Sequence, residues 1–329
     1  MEQLKRRFSH NGAVRLGRGV AFHIAPSNVA VNYAYSFASG FVLGNANIVR
    51  LPSREFPQVK IINQAIRTAM DKCGFQDSLA LVRYERNREI NDCLSSICDV
   101  RVIWGGDATI QELRKSPLPP RAGEVTFADR YSICIVDAGA YLKKEEKEKV
   151  AAGFYNDTYL LDQNACTSPK LVCWMGNDAD AARARECFWE RLRAMVSSRY
   201  KFQPVQFVDK LESVCLAAVG IEGLHILRMN DNQITRVELE KIDPVIQNFK
   251  GNSGLFYEYR LRDILELVPL CNAKMQTIAF LGNREMLMPL LKCGVKGIDR
   301  VAEIGHTMDF DLIWDGYDLM ERLTRNIRI

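Results

Sequence analysis

Short β-rich runs alternate with stretches of helical periodicity through the first two-thirds of this 329-residue chain, and that alternation constrains the fold more than any other feature. Strands separated by helices pair in parallel, because the helix carries the chain back to the starting edge of the sheet. GVAFHIA (19–25) reads as a buried strand, 28–43 as a helix stopped by Gly44, and NIVRL (47–51) as the next strand. A helix over 58–73 ends at Gly74, and LALVRY (79–84) follows as a strand. A helix over 88–98, the strand VRVIW (100–104) and a helix over 108–115 lead to the turn PLPP (117–120). With 121–129, that turn reads as a domain border. YSICIVDA (131–138) opens the second half, followed by a helix over 143–158, a polar loop DQNACTSP (162–169) and the strand KLVCW (170–174). Asn177 or Asp178 caps a long helix through Ser198; strands at HILRM (225–229), LFYEYR (255–260) and MQTIAFLG (275–282) and a helix near 286–293 complete the pattern. The expectation is an α/β chain of two parallel-sheet lobes with a cleft between them.

Composition narrows the class. A hydrophobic fraction of 47% with 26% charged residues is that of a globular protein. The net charge of +4 is spread along the chain, which argues against nucleic acid as partner and leaves anionic small ligands open. No apolar run is long enough for a membrane span or a signal peptide, so the expected location is cytoplasmic. The ten cysteines form neither a disulfide framework nor a zinc-ligand spacing. They read as reduced thiols packed as small hydrophobes, with one exception, and no metal is expected.

Three segments carry residue types suited to chemistry. In VRVIWGGDATI (100–110), Gly105 and Gly106 bare a helix N-terminus, where free N–H groups and the positive dipole end suit a pyrophosphate. The same glycines equally serve a tight turn with Asp107 as N-cap. In HIAPSNVAVN (23–32), Ser27 and Asn28 follow the carboxyl end of a strand, the edge that faces ligands in open α/β sheets. Asn28 there is either a helix cap or an amide donor to an oxyanion. In the loop 162–169, Cys166 stands among Asn164, Thr167 and Ser168, a setting for an exposed nucleophilic thiol or for a chance loop cysteine. His23 reads as a satisfied core histidine, His306 beside Asp309 and Asp311 as a proton relay or a surface turn, and the four tryptophans as core. KKEEKEK (143–149) reads as a solvated helix face.

The stretches HIAPSNVAVN, LGNANIVRLPS, CDVRVIWGGDATI, FADRYS, FYNDTY, DQNACTSP and KGIDRVAEIGHTMDFDLIWDGYDL span nearly the whole chain. Together they resemble the aldehyde dehydrogenase superfamily, and within it the LuxC-type long-chain acyl-CoA reductases of bacterial luminescence systems. DQNACTSP and VIWGGD are the specific ones. The resemblance implies an aldehyde dehydrogenase-like fold, two Rossmann-like lobes with the active site between them. It implies a cofactor-binding domain over 1–126, a catalytic domain over 127–300, and a segment 301–329 packing back on the first lobe. The implied reaction reduces an acyl thioester, on coenzyme A or a protein, to an aldehyde with NADPH, or alternatively NADH. Cys166 would carry the acyl group, and Asn28 with the Cys166 backbone N–H would hold the oxyanion. Pro26, Ser27, Gly105 and Gly106 would line the cofactor phosphates and nicotinamide, with Pro52 and Ser53 near the adenine ribose.

Departures from the superfamily pattern qualify these implications. The superfamily lysine before Pro52 is Leu51 here, with Arg50 one step earlier, which leaves the ribose contact and the NADP preference open. The glutamate that activates water in aldehyde oxidation falls near Val125, with Glu124 adjacent, outside its usual setting; its absence suits a reductase. No E-x-F-G-P motif is found, and the chain begins almost at the first matched strand, whereas the resemblance implies a further helical segment ahead of it, so the cofactor domain over 1–126 is expected to be incomplete at its N-terminus. Two alternatives follow: the reverse, CoA-acylating direction, or, given the missing segment, a turnover-deficient truncated subunit that binds within an acyl-reductase complex. Acyl-transferring and acyl-activating enzymes are the expected partners, and a homo-oligomer the expected state.

Overall fold

The computed structural model describes residues 9–10, 13–26, 29, 31–227 and 231–328. The chain divides into two compact units, Met1–Asp129 with Phe310–Ile329, and Arg130–Asp309. Residues 301–309 thus belong with the second unit.

In the first unit, β1 (Val20–Ile24), β2 (Ala46–Arg50), β3 (Leu79–Val82), β4 (Val100–Trp104) and β5 (Gly123–Phe127) form one sheet in the order β3-β2-β1-β4-β5. Every pairing is parallel. The chain starts at the centre, moves outward to β2 and β3, then returns across β1 to β4 and β5, so strand order reverses between β1 and β4. The crossovers are α1 (Asn32–Val42), α2 (Pro57–Cys73), α3 (Arg88–Ser96) and α4 (Asp107–Arg114). Their limits follow from local chemistry. Pro57 begins α2, where its missing N–H costs nothing, and Gly74 ends it at φ 72°. The Asn87 side chain accepts from Ile90 N–H and starts α3. β5 lies where the sequence suggested a domain border: GEVTF is short and half polar, and its pairing with β4 makes it a strand. Trp314, Leu319, Met320 and Leu323 pack on Ala21, Val102, Val125 and Phe127, and Thr324–Arg328 pairs antiparallel with Ala13–Gly17.

In the second unit, β6 (Tyr131–Asp137), β7 (Pro169–Met175), β8 (Leu224–Ile226), β9 (Thr235–Leu239), β10 (Leu255–Arg260), β11 (Met275–Leu281) and β12 (Arg300–Glu303) form a sheet in the order β8-β9-β10-β7-β6-β11-β12. Only the β8–β9 pair is antiparallel. Strand alternation sends Ile133, Ile135, Leu171 and Phe280 to one face and Cys134, Val136, Val172 and Leu281 to the other, and both faces are buried. The second face packs α5 (Ala138–Lys143), α6 (Lys147–Thr158) and α7 (Asp178–Arg199). The helix expected over 143–158 begins only at Lys147, because Lys144 turns extended; a separate short helix, α5, capped by the Asp137 carboxylate, precedes it. Within this layer the fully buried Glu258 accepts from the indoles of Trp174 (2.9 Å) and Trp189 (2.8 Å) and pairs with Arg236 at 2.5 Å. A buried carboxylate with this many donors is tolerated; alone it would be costly. The helix α8 (Pro204–Gly220) and strand β9 had no counterpart in the sequence reading.

Candidate active site

Cys166 lies on the segment between α6 and β7, beyond the single 3-10 turn Tyr159–Leu161. The segment is fixed at both ends. Asp162 and Gln163 take left-handed backbone at φ 52° and 60°, which turns the chain sharply out of the helix. The buried Gln163 amide donates to the carbonyls of Pro169 and Leu255, each at 3.0 Å, and accepts from Gly254 N–H at 3.1 Å. The Asp162 carboxylate is held by the Tyr200 hydroxyl and by Gln206 at 3.2 Å. Ser168 Oγ donates to the Asp157 carbonyl at 2.7 Å. Thr167 and Ser168 are buried, whereas Cys166 remains half-buried.

Beneath it, the sheet departs from regular register on both sides of β6. Toward β11, Tyr131 opposes Met275 and Ile133 opposes Ile278, so Gln276 and Thr277 together face Ser132 alone. Toward β7, Ser132 opposes Pro169 and Ile133 opposes Leu171, so Lys170 is the surplus residue. A bulge re-aims side chains that strict alternation would send elsewhere. Here Ser132 Oγ accepts from Thr277 N–H at 3.2 Å and donates to the Cys166 carbonyl at 2.7 Å. The Gln276 side chain, 3% exposed, brings Nε2 to 3.5 Å from Cys166 Sγ. The Lys170 ammonium, its pKa pushed down to about 7 by burial, gives its hydrogens to the carbonyls of Ile246 (2.9 Å), Gln247 (3.1 Å) and Phe249 (2.8 Å). It serves the chain 246–249, not the thiol.

In the first unit, Pro26 follows β1, Arg50 ends β2 with Ser53 just beyond, and Gly105 and Gly106 follow β4. These loops share the carboxyl edge of three adjacent strands, at the point where strand order reverses, the crevice that binds nucleotides in open α/β sheets. Pro26 and both glycines are half-buried, and Ser53 is exposed. Arg50 lies over the Tyr84 ring at 4.6 Å and donates to the Tyr84 carbonyl at 3.3 Å. Gly106, not Asp107, is the N-cap residue of α4; Asp107 is its first helical residue. A Cβ at Gly106 would meet the Asp129 carboxylate at 2.7 Å, and one at Gly105 would meet Thr109 at 3.2 Å. Ser27 and Asn28 lie outside the described residues.

Other candidates resolve into structure. His23 is buried between Ser36 Oγ (2.7 Å) and Asn47 Oδ1 (3.0 Å), and desolvation holds its pKa down to about 4. His306 contacts the Asp309 carboxylate at 2.7 Å on an exposed turn, and that hydrogen bond raises its pKa. Glu124 is tied to Arg101 at 2.6 Å and Arg114 at 2.7 Å, and Val125 is core. All four tryptophans are buried. The expectation that nine cysteines are packed needs correction: Cys73, Cys93, Cys215 and Cys293 are exposed. Each lies on or beside a helix, where periodicity alone does not tell which face meets water. Among the described residues no three His, Cys, Asp or Glu side chains could hold a metal ion, and no helix is long and apolar enough to cross a membrane.

Comparison with solved structures defines the class. The NAD-dependent benzaldehyde dehydrogenase of Corynebacterium glutamicum superposes with a TM-score of 0.65 at 14% identity, covering 96% of this chain and 70% of that one. The NADP complex of a glyceraldehyde-3-phosphate dehydrogenase from Methanocaldococcus jannaschii gives a TM-score of 0.64 at 15% identity, covering 97% and 75%. The fold is therefore that of the aldehyde dehydrogenases. Residues 3–233 match the family model described as Acyl-CoA reductase (LuxC), and the chain belongs to that family. Among relatives, the long-chain acyl-protein thioester reductase of Aliivibrio fischeri is 22% identical over 298 residues, 88% of this chain and 58% of that protein. That of Vibrio harveyi is 21% identical over 315 residues, 94% of this chain and 63% of that protein. The chain thus spans less than two thirds of the length of either relative.

The contact between Gln276 and Cys166 could not have been read from the sequence, because it depends on a bulge that no residue pattern announces.

Proposed function

We propose that this chain reduces an acyl thioester, carried on coenzyme A or on a protein, to an aldehyde through an acyl group held on Cys166, using NADPH or NADH. The observation that carries the reading is a half-buried thiol on an anchored loop, in a chain of the acyl-CoA reductase family. The Cys166 thiolate attacks the thioester carbonyl carbon, the old carbon–sulfur bond breaks, and the donor thiol leaves with the electron pair. The oxyanion formed on the way is taken by the Cys166 backbone N–H and, as the family resemblance implies, by the Asn28 amide. One such donor is worth about 3–4 kcal/mol of barrier. A nicotinamide dinucleotide would be held by Pro26, Ser27, Arg50, Ser53, Gly105 and Gly106 and would supply hydride chemistry at the acyl carbon; the Cys166 thiolate is the leaving group as the aldehyde is released. The glycine-bearing turn at the α4 N-terminus fits the phosphates of such a group, and Arg50, beside the segment implied for the adenine ribose, is stacked on Tyr84. Asp129 beside Gly106 adds a negative charge there that must turn aside as the phosphates bind.

The surroundings of Cys166 favour reduction over hydrolysis. Among the described residues the Gln276 amide lies against its sulfur and the Ser132 hydroxyl against its carbonyl, and the loop's own carboxylate, Asp162, is occupied by Tyr200 and Gln206. Held in this way, Asp162 is not placed to activate water at the acyl-cysteine, which favours leaving the acyl group for hydride. We place the enzyme in the cytoplasm, acting with acyl-transferring or acyl-activating partners. The test is intact-protein mass spectrometry after exposure to acyl-CoA without nucleotide. The wild-type chain should gain one acyl mass and Cys166→Ser none; normal labelling of Cys166→Ser refutes the assignment. NADPH and NADH consumption across acyl chain lengths then reads out the substrate.

A further inference from the structure

We infer that the Gln276 side chain is a hydrogen-bond donor to the Cys166 sulfur and holds the thiolate that begins the reaction. This rests on the reading of Cys166 as the nucleophile and adds a residue to it. The need for such a donor follows from where the thiol lies. Cys166 follows α6 and its 3-10 extension and precedes β7, so it does not stand at a helix N-terminus. A thiolate at a helix N-terminus would be stabilised by backbone N–H groups; this one must find donors elsewhere. Lys170, the nearest buried cation in sequence, is spent on the carbonyls of Ile246, Gln247 and Phe249. What the fold supplies instead is the bulge on β11, which turns the buried Gln276 amide to within 3.5 Å of the sulfur. That is an ordinary N–H···S separation. The same bulge frees Thr277 N–H for Ser132 Oγ, whose own hydrogen fixes the Cys166 carbonyl. One irregularity thereby sets both the backbone and the sulfur of the residue. A neutral amide at this position cannot itself activate water, whereas a histidine or carboxylate there could.

The experiment is the pH profile of Cys166 alkylation by iodoacetamide, read site by site by peptide mass spectrometry so that the other nine thiols do not intrude. Gln276→Leu, which keeps the volume and removes the donor, should move the midpoint up by about one pH unit, a tenfold loss of thiolate below the midpoint. Gln276→Glu should move it further, since an adjacent carboxylate repels the thiolate. Thermal unfolding decides which variants are read. An unchanged midpoint in either folded variant overturns the inference, and so does the failure of both to fold, which would make Gln276 a packing residue. A chain whose midpoint follows position 276 but never acquires an acyl group keeps this inference and sinks the acyl-enzyme reading. A chain that acylates normally with a midpoint indifferent to position 276 does the reverse.

Discussion

The two units are built alike, yet they present their candidate chemistry at opposite edges of their sheets. In the first, Pro26, Arg50, Ser53, Gly105 and Gly106 follow strands and lie at the carboxyl edge, where helices begin. In the second, Ser132 and Gln276 stand at the openings of β6 and β11, and Cys166 precedes β7, all at the amino edge, where helices end. The carboxyl edge offers oriented N–H groups to a phosphate with little side-chain help. The amino edge offers carbonyls, so an anion there depends on individual side chains placed by irregular backbone. The proposed phosphate site and the proposed thiolate therefore rest on different physics within one architecture.

The comparison can be broken first at the buried ions that hold each unit. Arg101 in the first unit, 2% exposed, donates to Glu124, Ser95 Oγ and the carbonyls of Leu113 and Ser116; Glu258 plays the matching part in the second. Arg101→Leu and Glu258→Leu should each cost about 3–5 kcal/mol, because each leaves buried partners unpaired. Hydrogen exchange followed separately at 100–104 and at 171–175 should show each loss confined to its own sheet; equal loss in both would mean that the units unfold as one.

Acidification should then separate the units by sign. His23 holds its pKa down to about 4 against an ordinary 6.5, so the unfolded chain takes the proton first. The stability contributed by its neutral ring is present above about pH 6.5 and lost as pH falls toward 4. Asp157 in the second unit is pushed up to about 6 against 3.8 by burial, although its carboxylate accepts from Gly305 and Thr307 N–H. There the folded chain takes the proton first, so stability rises as pH falls through 6. Between pH 7 and 5 each effect is about 1–2 kcal/mol, in opposite directions. Asp157→Asn should remove the gain in the second unit and His23→Gln the loss in the first, both read from the same exchange data. The smallest effect is expected at Ser53, which is exposed: Ser53→Ala should leave stability within about 0.5 kcal/mol and weaken NADPH binding a few-fold, measured by fluorescence titration.

Much of this was legible in the sequence where burial and periodicity agree. VRVIW and LFYEYR read as strands to the residue because both are short apolar runs between polar turns. α8 was not legible because its pattern is inverted: Val205, Val208, Leu211 and Val219 face outward while Lys210 is buried. β9 is five residues of alternating TRVEL, too short to stand out before its neighbours are known. Cys166 could be singled out by its polar loop, but its role came from resemblance. Gln276 was invisible for a physical reason. Met275 and Ile278 pack into the same cluster although they are three residues apart, and regular alternation would have buried Gln276 as filler.

The antiparallel pairing of Thr324–Arg328 with Ala13–Gly17 has a consequence for how the molecule comes to be. The second unit is, in effect, an insertion carried inside the first, and all of its strands leave the ribosome before residue 310. The first unit starts earlier yet must wait for residue 328 before its outer ribbon can zip shut. During synthesis, then, the nucleotide-type sheet is the one left unfinished, its hydrophobic face at Val102 and Val125 open until Trp314, Met320 and Leu323 arrive to cover it.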